Sequence, residues 1–137
     1  MNENPYSNSS LIWTIHSLFF SIEAQAFSGL ANLQHLDLRG NKLPDTLDDI
    51  MMRYPSTLRT MRLDSNKLTG FHKETFSGQT TVEVLSISDN KLEVVRARAF
   101  AELINLFRLD LANNKISAIE DDALVGLHQV NSTQRQD

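Results

Sequence analysis

The dipeptide Asn-Lys recurs four times along the chain at a nearly constant spacing. Its copies begin at Asn41, Asn66, Asn90 and Asn114, and the first interval is one residue longer than the other two. A period of about 24 residues is typical of chains that stack short structural units into one elongated core. The period therefore predicts a repeat architecture and argues against a closed domain of unrelated elements.

Each of these Asn residues lies in the same apolar frame, LxxLxLxxNxL. The four frames are Leu33-Leu36-Leu38-Asn41-Leu43, Leu58-Met61-Leu63-Asn66-Leu68, Val82-Leu85-Ile87-Asn90-Leu92 and Leu106-Leu109-Leu111-Asn114-Ile116. Because side chains alternate across a strand, the frame predicts one short strand per repeat. The Asn suits the turn that follows, since its amide both donates and accepts hydrogen bonds. We therefore expect the four Asn residues to form a structural ladder.

The second half of each repeat carries two apolar residues that are five positions apart. The pairs are Leu47 and Met52, Phe71 and Phe76, Val95 and Phe100, and Ile119 and Leu124. The first pair is shifted by one residue, beside Pro44, where a connector tolerates the insertion. We expect these residues to pack back onto the strands, so that stacked repeats share a continuous core.

The frame is the signature of the leucine-rich repeat, and residues 33–127 resemble that family. The repeat length and the late Phe are similar to the subclass typical of animal extracellular proteins, including Toll-like and chaoptin-like proteins. The resemblance implies an α/β solenoid, a curved horseshoe with a concave parallel β-sheet and an irregular or short-helical convex side. It also implies a non-catalytic protein-protein recognition module within an extracellular adhesion or receptor protein. The alternative is an intracellular leucine-rich repeat scaffold or regulator.

The period also sets the boundaries of the repeats. Four complete repeats occupy residues 33–57, 58–81, 82–105 and 106–129. Counting one period back from Leu33 gives a degenerate first repeat at residues 9–32, which lacks the Asn. Its strand positions are Ile12 and Thr14, and its later apolar pair is Ile22 and Phe27. Residues 1–8 are an N-terminal tail, and residues 130–137 are expected to be a frayed C-terminal tail.

The strand residues that alternate with the core positions are expected to face the concave side and bind a partner. They form three columns: His35, Thr60, Val84, Arg108; Asp37, Arg62, Ser86, Asp110; and Arg39, Asp64, Ser88, Ala112. Asp37 neighbours Arg62 across the strands, and Arg39 neighbours Asp64, which predicts two cross-strand ion pairs. Each would contribute about 0.2–1 kcal/mol. The alternative is a solvated sheet face without a binding role.

The residue types that carry chemistry show no catalytic pattern. The 137 residues include no Cys, which excludes disulfides and thiolate metal sites. The four His residues occupy unrelated repeat positions, so we expect no metal site. No nucleophile elbow or phosphate-cradling loop is present in the sequence, so we expect no cofactor and no enzyme activity. The formal charge of −4 argues against a nucleic-acid partner, and the resemblance implies a protein ligand of unknown identity.

The missing Cys also bears on the ends of the stack. Extracellular members of the family usually carry cysteine-rich caps, and a stack of repeats needs its apolar ends covered. Their absence favours a piece of a longer array, so we expect self-association through uncapped solenoid ends. The alternative is a reduced member of the family that is capped in another way.

Localisation is predicted from weaker signals. Sequons for N-glycosylation begin at Asn8 and Asn131, outside the well-formed repeats. The apolar residues 11–20 precede an Ala-Gln-Ala segment that resembles a signal-peptide cleavage site, but no Lys or Arg precedes them, so a degenerate repeat is the better interpretation. An extracellular or cell-surface location therefore follows from the resemblance, with a cytoplasmic location as the alternative. Membrane attachment would require flanking segments, since no apolar run approaches the ~20 residues of a membrane span.

Overall fold

The computed structural model describes residues 11–14, 30–43 and 56–130, and these residues form two parallel sheets. The strands are β1 (Leu11–Thr14), β2 (Leu33–Asp37), β3 (Thr60–Arg62), β4 (Val84–Ser86), β5 (Val94–Val95), β6 (Arg108–Asp110) and β7 (Ala118–Ile119). The main sheet has five strands in the order β1-β2-β3-β4-β6, and β5 pairs with β7. Successive repeats each add one parallel strand to the main sheet, and the chain described from residue 71 onward returns on the opposite side, which confirms the predicted solenoid with its parallel sheet.

The register within the main sheet follows the sequence repeat from β2 to β6. Leu36 lies opposite Met61, Met61 opposite Leu85, and Leu85 opposite Leu109. The first interval of the period is one residue longer than the others, yet β2 and β3 pair in the register that the frame predicts.

The register of β1 differs from the prediction by one residue. The period places Ile12 level with Leu36, whereas the structure places Trp13 opposite Leu36 and Ile12 opposite His35. The pairing shifts by one residue after Leu11, as in a β-bulge. The prediction was wrong here because this segment has no Asn that fixes the repeat position. The boundaries of the degenerate repeat, residues 9–32, stay a prediction.

The core is a continuous apolar layer behind the main sheet. Most of its fully buried side chains occupy predicted frame positions, including Leu36, Met61 and Leu85. Phe71, Phe76 and Phe100 meet behind the central repeats, with ring centroids 5.3 to 6.2 Å apart. These separations are typical of favourable aromatic pairs, so the late Phe positions join successive repeats through the core.

The Asn residues after the strands connect each repeat to the one before it. The Asn90 amide nitrogen donates to the carbonyl of Ile87 at 3.1 Å and to that of Leu63 in the preceding repeat at 3.0 Å. Its side-chain oxygen accepts the backbone N–H of Leu68, also in the preceding repeat, at 3.1 Å. Asn66 and Asn114 make the corresponding bonds one repeat away on either side.

The residue before each Asn adopts a left-handed backbone conformation. The four residues and their φ angles are Gly40 (69°), Ser65 (56°), Asp89 (54°) and Asn113 (55°). This conformation turns the chain out of the sheet, and Gly, Asp and Asn tolerate it better than other residues. The turn therefore has a sequence requirement at a position that the apolar frame does not mark.

The convex side consists of turns and the short β5–β7 pair in the residues that the structure describes there. Each of the three repeats from residue 71 onward contains three successive i→i+3 backbone bonds, such as Thr75 N–H to His72 O at 3.1 Å. The pair Val95 and Phe100 is buried, whereas Ile119 and Leu124 in the last repeat are exposed. The predicted pairs Leu47 and Met52, and Ile22 and Phe27, lie outside the described residues, as do Asn8 and Asn131.

Candidate binding surface

The predicted partner-binding residues form three columns, of which two lie in the strands of the main sheet. The strand pairing places the members of each of these two columns opposite one another. The first column is His35, Thr60, Val84 and Arg108, and the second is Asp37, Arg62, Ser86 and Asp110. The third column follows the strands by two residues, at Arg39, Asp64, Ser88 and Ala112. Most of these residues are half-buried or exposed, since they alternate with the buried core positions. Asp37 is the exception, because it is buried.

Asp37 is buried under the guanidinium of Arg39, two residues further along the same chain. The Arg39 side chain donates to both carboxylate oxygens, at 2.9 Å to Oδ1 and at 2.7 and 3.0 Å to Oδ2, and the Arg39 N–H adds a bond of 3.1 Å. The pKa of Asp37 is lowered, chiefly by these side-chain hydrogen bonds, although burial opposes the shift. Arg62 lies on the facing strand and contributes only a smaller Coulombic effect.

Asp64 is held by the two Ser residues of the next repeat. Its Oδ1 accepts the hydroxyls of Ser86 and Ser88, and it also accepts the backbone N–H of Ser88 at 2.9 Å. The predicted ion pairs Asp37–Arg62 and Arg39–Asp64 were therefore wrong. Arg39 binds the Asp37 carboxylate from two residues further along the chain and Asp64 accepts hydroxyl groups, so these donors, rather than an Arg across the strands, satisfy each carboxylate.

Arg62 and Arg108 are the concave cations that keep no carboxylate partner within the described residues. Both are exposed, and the half-buried residues Val84 and Ser86 lie in the strand between them. Asp110 in the last strand accepts only the N–H of Ala112, at 3.0 Å. The side chains at the centre of the concave face are thus small and uncharged, and the guanidinium groups of Arg62 and Arg108 lie on either side of them.

A second polar ladder, at the entrance of the strands, was not predicted from the sequence. The hydroxyl of Thr57 donates to the carbonyl of Leu33 at 2.8 Å, and that of Thr81 donates to the carbonyl of Leu58 at 2.7 Å. Asn105 donates to the Thr80 carbonyl in the same way at 2.7 Å. The recurrence of these side chains at the repeat period was the available signal, and it marks them as structural rather than partner-binding.

Two ion pairs outside the concave face also connect successive repeats. Arg59 pairs with Glu83, and Arg96 pairs with Glu120 at 3.6 Å. Each pair joins equivalent positions of neighbouring repeats, so these charges serve repeat stacking and are less available to a partner. Within the described residues, His, Asp and Glu side chains do not gather in groups of three or more that could hold a metal ion. In the same residues, no helix is long and apolar enough to cross a bilayer.

The fold and this surface define a class of protein: a solenoid with an open concave sheet whose core positions repeat and whose outward positions vary. Family models described as leucine rich repeat match residues 32–52, 56–115 and 80–132. These matches cover more than half of the chain. The chain therefore belongs to the leucine-rich repeat family.

The relatives include receptors and other leucine-rich repeat proteins. Toll-like receptor 3 from Bos taurus is 31% identical over 85% of this chain. Lumican from Rattus norvegicus is 35% identical over 69% of the chain and opticin from Bos taurus 35% identical over 72%. The chain spans only 15% of the receptor, 27% of lumican and 30% of opticin.

Solved structures agree with this assignment. The structure of a TLR13–ssRNA13 complex matches with a TM-score of 0.77 at 25% identity, over 82% of this chain and 16% of that one. The Toll–Spatzle complex matches with a TM-score of 0.67 at 22% identity, over 78% of this chain and 17% of that one. One complex contains a protein and the other an RNA, so the comparisons do not support the expectation that nucleic acid is excluded as a partner.

Proposed function

We propose that the chain is a non-catalytic protein-recognition module whose concave sheet binds a protein ligand. The observation that carries the proposal is that the residues on the two sides of the strands have different roles. Inward residues and the Asn ladder hold the stack together, whereas Val84, Ser86, Arg62 and Arg108 present side chains on the open face of the described part of the stack. An open surface with available Arg side chains suits protein recognition.

The proposed setting is an extracellular adhesion or receptor protein of which this chain is one part. The similarity to Toll-like receptor 3 and lumican supports this setting, as does the small share of each relative that the chain spans. Glycosylation at Asn8 and Asn131 and self-association through the ends of the solenoid belong to the same proposal. An intracellular scaffold is the alternative outcome of the experiments.

The binding role is tested by blocking the concave face with one substitution. Val84→Arg places a long cation in the middle of the sheet, and Glu93→Arg is the matched control at an exposed residue outside the concave columns. Immobilised wild-type and variant chains are incubated with proteins from conditioned medium, and the retained proteins are identified by mass spectrometry. We expect a defined set to be retained by the wild type and Glu93→Arg but lost with Val84→Arg. Equal retention by all three chains would contradict the proposal.

The location is tested with the natural coding sequence expressed in cultured cells. Surface labelling and a mobility shift after glycosidase treatment are expected, and Asn131→Gln should remove one step of that shift. An unglycosylated protein confined to the cytosol would favour the intracellular alternative.

A further inference from the structure

The exposed large apolar residues of the described part of the chain fall into two groups. Ile119, Leu124 and Val125 lie on the convex side of the last repeat. The positions equivalent to Ile119 and Leu124 are buried in the preceding repeat, where Val95 and Phe100 are 3% and 0% exposed. The exposure of these two residues is therefore explained by their place at the end of the described stack.

Ile104 and Phe107 form the second group, and the repeat does not explain their exposure. They are 48% and 49% exposed. The residues equivalent to Phe107 are Arg59 and Glu83, which pair with each other, and the residue equivalent to Ile104 one repeat earlier is Thr80. These polar side chains keep solvent contact although another repeat is stacked on them. Stacking therefore does not require an apolar side chain at either position.

Phe107 adjoins the concave face, and Ile104 precedes it by three residues in the chain. The backbone N–H groups of Phe107 and Arg108 both donate to the Glu83 carbonyl, at 3.0 and 3.2 Å, which holds Phe107 at the start of β6. Arg108 is exposed and has no carboxylate partner within the described residues. Phe107, Ile104 and Arg108 thus combine an apolar surface with an available guanidinium, and we name them the β6 patch.

The nearby carboxylates of the described residues do not pair with Arg108. Glu83 pairs with Arg59, Asp64 accepts two Ser hydroxyls, and Asp110 accepts the Ala112 N–H and forms no ion pair with Arg108. A carboxylate from outside the chain therefore has an available partner in Arg108. Aromatic and Arg residues are also the types that most often dominate protein interfaces, and a guanidinium forms two parallel bonds with a carboxylate.

We propose that the ligand of the concave face docks on the β6 patch, and that it is a protein segment with an apolar side chain next to a carboxylate. The apolar side chain packs on Phe107 and Ile104, and the carboxylate binds Arg108. This inference rests on the proposed function and assigns ligand binding to the β6 side of the concave face and to the apolar residues beside it. It also states which chemistry the ligand must carry.

The test selects ligands from a random pool, so it does not require that the natural ligand be identified. A phage-displayed library of random linear peptides is selected on the immobilised 137-residue chain, and the enriched peptides are synthesised. We expect an Asp or Glu within two positions of a large apolar residue. Their affinity should fall at least tenfold on Phe107→Ser/Arg108→Ser, measured by titration in solution. The matched control is Ile119→Ser/Lys115→Ser, which removes an equally exposed apolar residue and one cation outside the patch, and should change the affinity less than twofold.

A third variant separates failure of this inference from failure of the proposed function. His35→Ala/Arg62→Ala alters the other half of the concave face. If this variant alone weakens the enriched peptides, the concave face binds ligands but the β6 patch is not the site. If neither concave variant weakens them, or if no peptide is enriched, both proposals are overturned. Enrichment of basic peptides, or tighter binding of a single-stranded RNA oligonucleotide that is lost in the patch variant, would overturn the proposed ligand chemistry. Melting curves of all variants verify that each chain is folded.

Discussion

The Asn ladder gives the sharpest prediction about how the repeats are held together, and Asn90→Ala tests it. Asn90 is 6% exposed and makes four hydrogen bonds through its side chain. Three of them go to carbonyls that each keep another donor: Leu63 O keeps Asn66, Ile87 O keeps Asn114, and Ser88 O keeps the Ser65 N–H. The fourth accepts the N–H of Leu68, a fully buried residue.

The expected loss of stability follows from these partners. A buried N–H without an acceptor destabilises a protein by about 1–3 kcal/mol, and each ordinary hydrogen bond contributes about 0.5–1.5 kcal/mol. Because the three carbonyls keep other donors, the loss of each of their bonds to Asn90 contributes at the low end of this range. We therefore expect Asn90→Ala to lower the free energy of unfolding by about 2–4 kcal/mol. That is a large part of the roughly 5–15 kcal/mol typical of a folded domain.

Urea unfolding followed by circular dichroism measures the global effect, and amide hydrogen exchange measures the local one. The Leu68 amide should exchange much faster in Asn90→Ala, whereas the Leu92 amide, which is bound by Asn114, serves as an internal control. Asn105→Ala is the matched substitution, since Asn105 is exposed and makes one bond of 2.7 Å. It should destabilise by less than about 1 kcal/mol. A loss below about 0.5 kcal/mol for Asn90→Ala, or equal protection of Leu68 and Leu92, would refute the reasoning.

Packing, burial and charge lead to three other expectations. Gly126→Ala should lower the free energy of unfolding by about 1–3 kcal/mol, because the added Cβ would lie 2.6 Å from the Ala101 carbonyl oxygen. Gly70→Ala is the control, since a Cβ there has open space around it, and it should be neutral. Equal losses of stability for the two variants in urea unfolding would contradict this prediction. Leu85→Ala removes a fully buried side chain and should destabilise by about 2–5 kcal/mol, well above Leu124→Ala at the exposed end, as thermal melts can compare. The pKa of Asp37 is lowered in the folded chain, so the stabilisation from this carboxylate is complete above pH about 4 and disappears as the pH falls through the lowered pKa. Asp37→Asn should therefore lose less stability than the wild type during acid titration, and identical pH dependence in both chains would count against this account.

The sequence predicted the parts of the fold that depend on period and polarity. The apolar frame placed Leu36, Met61 and Leu85 in the core, and the structure buries all three in register. The register could be predicted because a shift of one residue in a strand would move every core side chain to the solvent face, so only one register buries the apolar residues. The prediction failed for β1, whose repeat has no Asn to fix the register. Ile12 was predicted to lie opposite Leu36, but it lies one residue away, opposite His35.

The pairing of charges on the concave face could not be predicted from the same pattern. Column neighbours suggested Asp37 with Arg62, but Arg39 is equally near along the strand and has a side chain long enough to fold back. Alternatives of this kind differ by about 1 kcal/mol or less, and the choice depends on side-chain rotamers that a repeat does not encode. The Thr and Asn ladder at the strand entrance was missed for another reason, since small polar residues carry no strong pattern of their own.

The pairing of these charges decides what a partner encounters. By sequence, the three concave columns contain three Asp residues against three Arg residues, so their formal charges balance. In the structure, Asp37 and Asp64 are bound within the sheet, whereas Arg62 and Arg108 are exposed and without carboxylate partners in the described residues. A charge that already has short hydrogen bonds contributes less to the recognition of a ligand than one that is only hydrated. The concave face is therefore more basic toward a ligand than its composition indicates, although the chain as a whole has a formal charge of −4. This asymmetry supports the acidic segment proposed as the ligand, and the proposal depends most on Arg108, which directly follows the exposed Phe107.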